Sequence, residues 1–144
     1  MNNFEWMKEN KLIIKVLLFL VLIFIDRLTK YIIISYSDIA YSSNSGFAFG
    51  LLEGFEFALI INLIALICMG IVAIKDSFSM ELIFLLAGAT SNFFDRVYLG
   101  GIIDFIKILS FPWFNFADMF INIGIILYIL RILLPDIKKF ISKH

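Results

Sequence analysis

The sequence predicts an all-α integral membrane protein with four transmembrane helices, and three observations carry that reading. The 144 residues are 62% hydrophobic and only 17% charged, with a mean hydropathy of +0.99. A soluble domain has roughly half its residues apolar and about a quarter charged. A core this small buries only about two-thirds of the chain's surface, so the surplus must face lipid. Four windows approach the roughly 20 apolar residues that a helix needs to cross a bilayer. Lys and Arg are also distributed unequally between the loops that these windows define. The same composition excludes a disordered chain, a coiled coil and a disulfide scaffold. Twelve Lys and Arg balance twelve Asp and Glu, so no net field gathers a polyanion and no nucleic-acid partner is expected.

The first window spans about 12–34 and is unbroken, Lys15 excepted, from Leu12 to Ile25. A signal peptide would need small residues at its cleavage point, yet the first Ala is Ala40 and the first Gly is Gly46. The window is therefore expected to remain as a helix. The second covers about 57–74, the third 82–99 and the fourth 116–134, all within a single membrane domain spanning 1–144. Four spans put both termini and the loop after helix 2 on one side. That side carries Lys8, Lys11, Lys75, Lys138, Lys139 and Lys143, against Lys107 alone in the opposite loops. By the positive-inside rule the termini are cytoplasmic, and the loops at about 35–56 and 100–115 face outward. The first outward loop is rich in Ser, Tyr, Phe and Gly, which suits short strands with turns or an interfacial segment. The second holds Gly100-Gly101 and Phe111-Pro112-Trp113, turn signals beside interfacial aromatics.

Charge within a bilayer is costly, roughly 2.5–3.5 kcal/mol per group on insertion scales, so such residues mark function. Here they gather at the outward helix ends. Asp26, Thr29 and Lys30 share one face of helix 1, and Asn92, Asp95 and Arg96 repeat that spacing in helix 3. Asn115, Asp118 and Asn122 form a stripe at the start of helix 4, and Asp104 precedes them in the second loop. Milder readings exist for several of these. Asp26, Arg27 and Lys30 could anchor helix 1 at the interface, and Asp95-Arg96 could be an ion pair closing helix 3. Asn44 and Gly46 suit a turn, and Asn62 a hydrogen bond between helices. Ala87, Gly88 and Ser91 are small enough for close backbone approach.

Asp104 and Asp118 resist such readings best. Two carboxylates in a poorly hydrated place share a proton, and the pair can hold a water between a general base and a general acid. Such a pair hydrolyses a peptide bond without metal or cofactor, and none is expected. The only His is terminal His144 and the only Cys is Cys68, which leaves no partners for His-assisted nucleophilic catalysis. A channel would need polar residues through the depth of the bundle, but the inner halves of the helices are almost unbroken Leu, Ile, Val and Phe. A non-catalytic scaffold would leave Asp104 and Asp118 unexplained.

Five segments together resemble one family. They are Asp26-Arg27-Leu28-Thr29-Lys30, Asn44-Ser45-Gly46-Phe47-Ala48-Phe49, Asn92-Phe93-Phe94-Asp95-Arg96, Gly100-Gly101-Ile102-Ile103-Asp104-Phe105, and Phe114-Asn115-Phe116-Ala117-Asp118 followed by Ile121 and Gly124. In order and spacing they resemble the bacterial lipoprotein signal peptidases (signal peptidase II). The resemblance implies an aspartic endopeptidase of the bacterial inner membrane that cleaves diacylglyceryl-modified prolipoproteins before the lipidated cysteine. It implies Asp104 and Asp118 as catalytic residues. Asp26, Lys30, Asn44, Gly46, Asn92, Arg96 and Asn115 would bind substrate or support the site. A small extracytoplasmic β-cradle between helices 1 and 2 is implied as well. The expected partners are lipidated prolipoproteins and membrane lipids, with the enzyme acting as a monomer. Family members usually carry Gly-Gly and Gly-Asn where this chain has Ala87-Gly88 and Ser91-Asn92.

Overall fold

A computed structural model describes residues 3–36, 38–44, 55–75 and 79–141. The chain forms helix α1 (Asn3–Ser35), strand β1 (Ser42–Asn44), helices α2 (Phe55–Lys75) and α3 (Met80–Leu99), strand β2 (Ile102–Asp104) and helix α4 (Phe116–Ile141). All four expected helices are present, and each is longer than its apolar window, α1 and α4 most of all. Helix α1 begins at Asn3 because Lys8, Glu9 and Lys11 are good helix formers and extend the apolar stretch. Helix α4 runs through Pro135 instead of stopping at Leu134. Proline removes one backbone bond, and the bonds on either side carry the helix past it.

Among the described residues, two helices, over Phe57–Lys75 and Phe116–Pro135, are long and apolar enough to cross a membrane by length and composition. Helices α1 and α3 carry the site's charges: Asp26, Arg27 and Lys30 on one, Asp95 and Arg96 on the other. Ile13, Ile14 and Phe24 of α1, Ile64 and Ile71 of α2, and Ile126 and Leu133 of α4 are all exposed. In water that surface would be highly unfavourable.

Helix α3 is the central element and packs against the other three helices. Its N-terminal half contributes Ile83 and Ala87 to a small core with Leu22 of α1, flanked by Leu18, Phe19, Ile23, Phe84 and Phe120. The contact with α4 is closest at glycines. A methyl group on Gly88 would lie 2.3 Å from the Ala117 carbonyl oxygen, and one on Gly124 would lie 2.8 Å from that of Glu81. Gly88 thus serves the close approach its sequence context implied. Asn62 does not meet its expectation in full, because its buried Oδ1 has no hydrogen-bond partner.

Helix α3 ends where Gly100 adopts φ 74°, a left-handed conformation that costs glycine little, and its N–H donates to the Arg96 carbonyl. The chain then turns into β2. The expected β structure is present but is not confined to the loop between helices 1 and 2. Strand β1, from the segment between α1 and α2, pairs antiparallel with β2, from the segment between α3 and α4, Ser42 opposite Asp104 and Asn44 opposite Ile102. A three-residue strand has too few bonds to stand alone and takes its partner from the neighbouring loop. Gly101 permits this approach, since a methyl group there would meet Ser43 Oγ at 2.9 Å. Beyond β2 the chain doubles back, with Ile106 bridged to Phe114, and delivers Asn115 to the start of α4.

Candidate active site

The N-terminus of α4 organises the site. Asn115 is its cap residue, since its carbonyl accepts the first helical bond from Met119. Its side-chain Oδ1 accepts from the Asp118 N–H at 2.9 Å, while Asp118 Oδ2 accepts from the Asn115 N–H at 3.1 Å. This reciprocal pair is a capping box built from Asn and Asp, and it fixes the rotamer of Asp118. The Asn115 amide nitrogen then reaches across to Asp104 Oδ1 at 2.7 Å, with Asn92 Oδ1 at 3.2 Å and the Ile103 carbonyl at 3.3 Å. Two hydrogens serve three acceptors, and Asp104 takes the shortest contact. One fully buried residue therefore holds both acids, Asp104 through its side-chain amide and Asp118 through its backbone N–H.

A second layer of charge lies beneath them. Lys30, 1% exposed, donates to Asn92 Oδ1 at 3.0 Å and sits 2.7 Å from both Asp26 Oδ2 and Asp95 Oδ2. Asn92 passes this order on, its Nδ2 donating to Asp118 Oδ1 at 2.8 Å. Asp26 accepts from Ser91 Oγ at 2.5 Å and from the Ala117 N–H at 2.9 Å. It thereby satisfies an open donor at the α4 N-terminus from another helix. Asp95 is paired with Arg27 and accepts from the Ile103 N–H at 3.3 Å. It thus ties α3 to α1 and to β2, beyond any role in closing its own helix. Arg96, also buried, lies within electrostatic reach of Asp118, Asp104 and Asp95.

Asp104, at the end of β2, is 5% exposed. Burial, reinforced by the charge of Asp118, pushes its carboxyl up to about 7, against the Asn115 hydrogen bond and the charge of Lys30. Asp118 is only half-buried, so one side of the pair is accessible.

Asp26, Lys30, Asn92, Asp95, Asp104, Asn115 and Asp118 thus converge on one end of the bundle. Asn44 arrives opposite Ile102, beside the strand that carries Asp104. Gly46 and the rest of the loop over 45–54 lie outside the described residues. Two expected members stand apart. Thr29 bonds back to the Ile25 carbonyl at 2.8 Å, and Asn122 is exposed. Three contributors went unread in the sequence. Ser91 reads as a small spacer and Arg27 as an interfacial anchor, and backbone donors such as Ala117 N–H carry no side-chain signal. Among the described residues, no group of His, Cys, Asp and Glu is arranged to hold a metal ion.

The family model described as Signal peptidase (SPase) II matches residues 18–134. A lipoprotein signal peptidase of Brevibacillus brevis is 33% identical over 141 residues, covering 83% of this chain and 94% of the relative. Its counterpart in Staphylococcus aureus strain MRSA252 is 34% identical over 147 residues, covering 86% and 90%. Among solved structures, a bacterial membrane enzyme determined by the in meso method superposes with a TM-score of 0.74 at 34% identity, covering 87% of this chain and 90% of that one. A second such enzyme gives 0.73 at 33% identity, covering 83% and 92%.

Proposed function

This chain belongs to the signal peptidase II family, and from that premise we propose that it is an aspartic endopeptidase removing signal peptides from diacylglyceryl-modified prolipoproteins, with Asp104 and Asp118 as its catalytic residues. The observation that carries the proposal is the shared hold of Asn115 on both carboxylates, through its amide to Asp104 and its backbone N–H to Asp118. Among the described residues, Asn115 and Asn92 hold these two acids by hydrogen bonds, whereas Asp26 and Asp95 are each engaged by Lys30 at 2.7 Å. The first pair is left for chemistry and the second for architecture.

The chemistry runs through one water and one shared proton. Asp104, titrating near 7, carries the proton of the pair. Asp118, held as acceptor by Asn92 and Asn115, takes a proton from the water as its oxygen attacks the scissile carbonyl carbon. Asp104 protonates the carbonyl oxygen, giving a tetrahedral diol. The diol collapses as its C–N bond breaks: Asp118 returns its proton to the leaving amine of the lipidated cysteine, while Asp104 takes back one hydroxyl proton as the new carboxyl group forms, restoring the starting pair. General acid–base steps of this kind contribute roughly 10²–10⁴-fold each. Arg96 tempers the negative charge of the pair without taking part in proton transfer.

All four helices cross the inner membrane in this proposal, with both termini cytoplasmic and the site at the outer leaflet. The lysine distribution and the exposed apolar faces of α1, α2 and α4 support that placement. Diacylglyceryl chains enter laterally from lipid and supply binding at about 0.8 kcal/mol per buried CH₂. The purified protein in detergent should therefore cleave a lipidated precursor peptide before its modified cysteine, read by mass spectrometry, and process the unlipidated peptide poorly. Equal cleavage of both peptides, or of neither, would overturn the proposal.

A further inference from the structure

Arg27 is unexplained by the mechanism. It sits on α1 with its side chain 33% exposed, and its guanidinium is paired with Asp95 Oδ1, a fully buried atom's worth of charge on α3. The other oxygen of Asp95 meets Lys30 at 2.7 Å and the Ile103 N–H at 3.3 Å. Ile103 is the residue immediately before Asp104 in β2. One carboxylate therefore joins a partly exposed arginine to the peptide next to the proposed acid.

We propose that Arg27 is a positioning residue for Asp104: through Asp95 it anchors β2 and neutralises charge that Asp104 would otherwise experience. This inference rests on the two-carboxylate reading above. The charges facing the pair come from every packed element. Helix α1 presents Asp26, Arg27 and Lys30, α3 presents Asp95 and Arg96, β2 carries Asp104 and α4 carries Asp118. Four acids stand against three cations, so the cluster is neutral when the pair holds one proton. Glu81 is taken up by Arg131, and Lys107 lies over Trp113, so neither adds to this balance. Asp95 acts on Asp104 in the direction that tightens its proton. Arg27 opposes that effect by neutralising Asp95. Without Arg27 the cluster gains one net negative charge, and Asp104 holds its proton to higher pH.

The test reads Asp104 directly, so it does not depend on substrate. Infrared difference spectra of the detergent-solubilised protein follow the protonated carboxyl band as pH rises, and the band absent from Asp104→Asn is the one assigned. Arg27→Gln should move its midpoint upward by roughly half a unit to one unit, a range set by a partly solvated charge. Asp95→Asn should move it downward, the double variant Arg27→Gln/Asp95→Asn should return it toward the parent, and Arg27→Lys should leave it in place. The high-pH limb of precursor cleavage should follow the same order. A midpoint unmoved in Arg27→Gln and Asp95→Asn, or moved the same way in both, would overturn the inference. Failure of the parent protein to cleave lipidated precursor would instead refute the proposed function, and the titration would still decide the role of Arg27. If Arg27→Gln does not fold, the double variant decides the matter: its midpoint should lie above that of Asp95→Asn alone, and a midpoint at or below it would overturn the inference.

Discussion

Replacing Gly88 with alanine should disable the enzyme by moving α4. The added methyl would fall 2.3 Å from the Ala117 carbonyl oxygen and 2.7 Å from Ile121 Cγ1. Ordinary contact begins at 3.4 Å, so the α4 backbone must retreat by about 1 Å, because a packed interior has no void to absorb the atom. Ala117 cannot move alone. Its N–H is bonded to Asp26 and the next residue is Asp118, so the displacement passes straight to a proposed catalytic carboxylate and away from Asn92. Overpacking of this size costs about 1–3 kcal/mol in stability, and a misplacement of about 1 Å costs about 10²-fold in rate. Thermal unfolding in detergent and single-turnover cleavage of a lipidated precursor measure the two effects. Gly124→Ala is the companion variant. It also crowds α3, at Leu85 Cγ and the Glu81 carbonyl, but farther from the site, so it should lose stability with less loss of rate. Gly70→Ala is the control, since a methyl there meets nothing within 4 Å. If Gly88→Ala unfolds and turns over like Gly70→Ala, the close approach of α3 to α4 does not position Asp118.

Other substitutions address the remaining layers. Lys30→Met strips the cation shared by Asp26 and Asp95, and breaking a buried ion pair in this way costs about 3–5 kcal/mol; unfolding scans should show the loss, and a parent-like melt would argue against the buried network. Asn115→Ala removes a helix cap worth about 0.5–2 kcal/mol together with the bridge between the acids, so kcat should fall much further than KM rises. Because burial and the charge of Asp118 push the Asp104 carboxyl up to about 7, cleavage should decline as pH rises through that value and the proposed general acid is lost. The same elevation affects stability. The carboxyl's contribution is complete below its ordinary value of 3.8, and it fades as pH rises through about 7. Asp104→Asn should therefore lose less stability than the parent as pH rises from about 4 to about 7, as measured by melting temperature.

Much of the site could be read from the chain because membrane burial makes polar residues conspicuous. Asp26, Lys30, Asn92, Asp95, Asp104, Asn115 and Asp118 stand out against apolar neighbours, and the three-residue spacing from Asn115 to Asp118 is the spacing of a capping box. What stayed hidden depended on contacts between distant segments. Nothing local to Ala117 signals that Asp26 caps its N–H, and Ser91 differs little from the small residues around it. The pairing of β1 with β2 joins strands about 60 residues apart, each too short to carry a readable alternation. Helix limits were blurred for another reason. The apolar windows mark where lipid would lie, whereas α1 and α4 continue into polar segments whose residues still favour a helix.

The most direct test of Asp104 and Asp118 as the catalytic pair is cleavage of a lipidated precursor by Asp118→Asn. This nearly isosteric change removes the proposed base and keeps an oxygen to accept from Asn92 or Asn115. The variant should insert and fold like the parent while the precursor accumulates uncut. Processing at the parental rate would contradict the two-carboxylate mechanism.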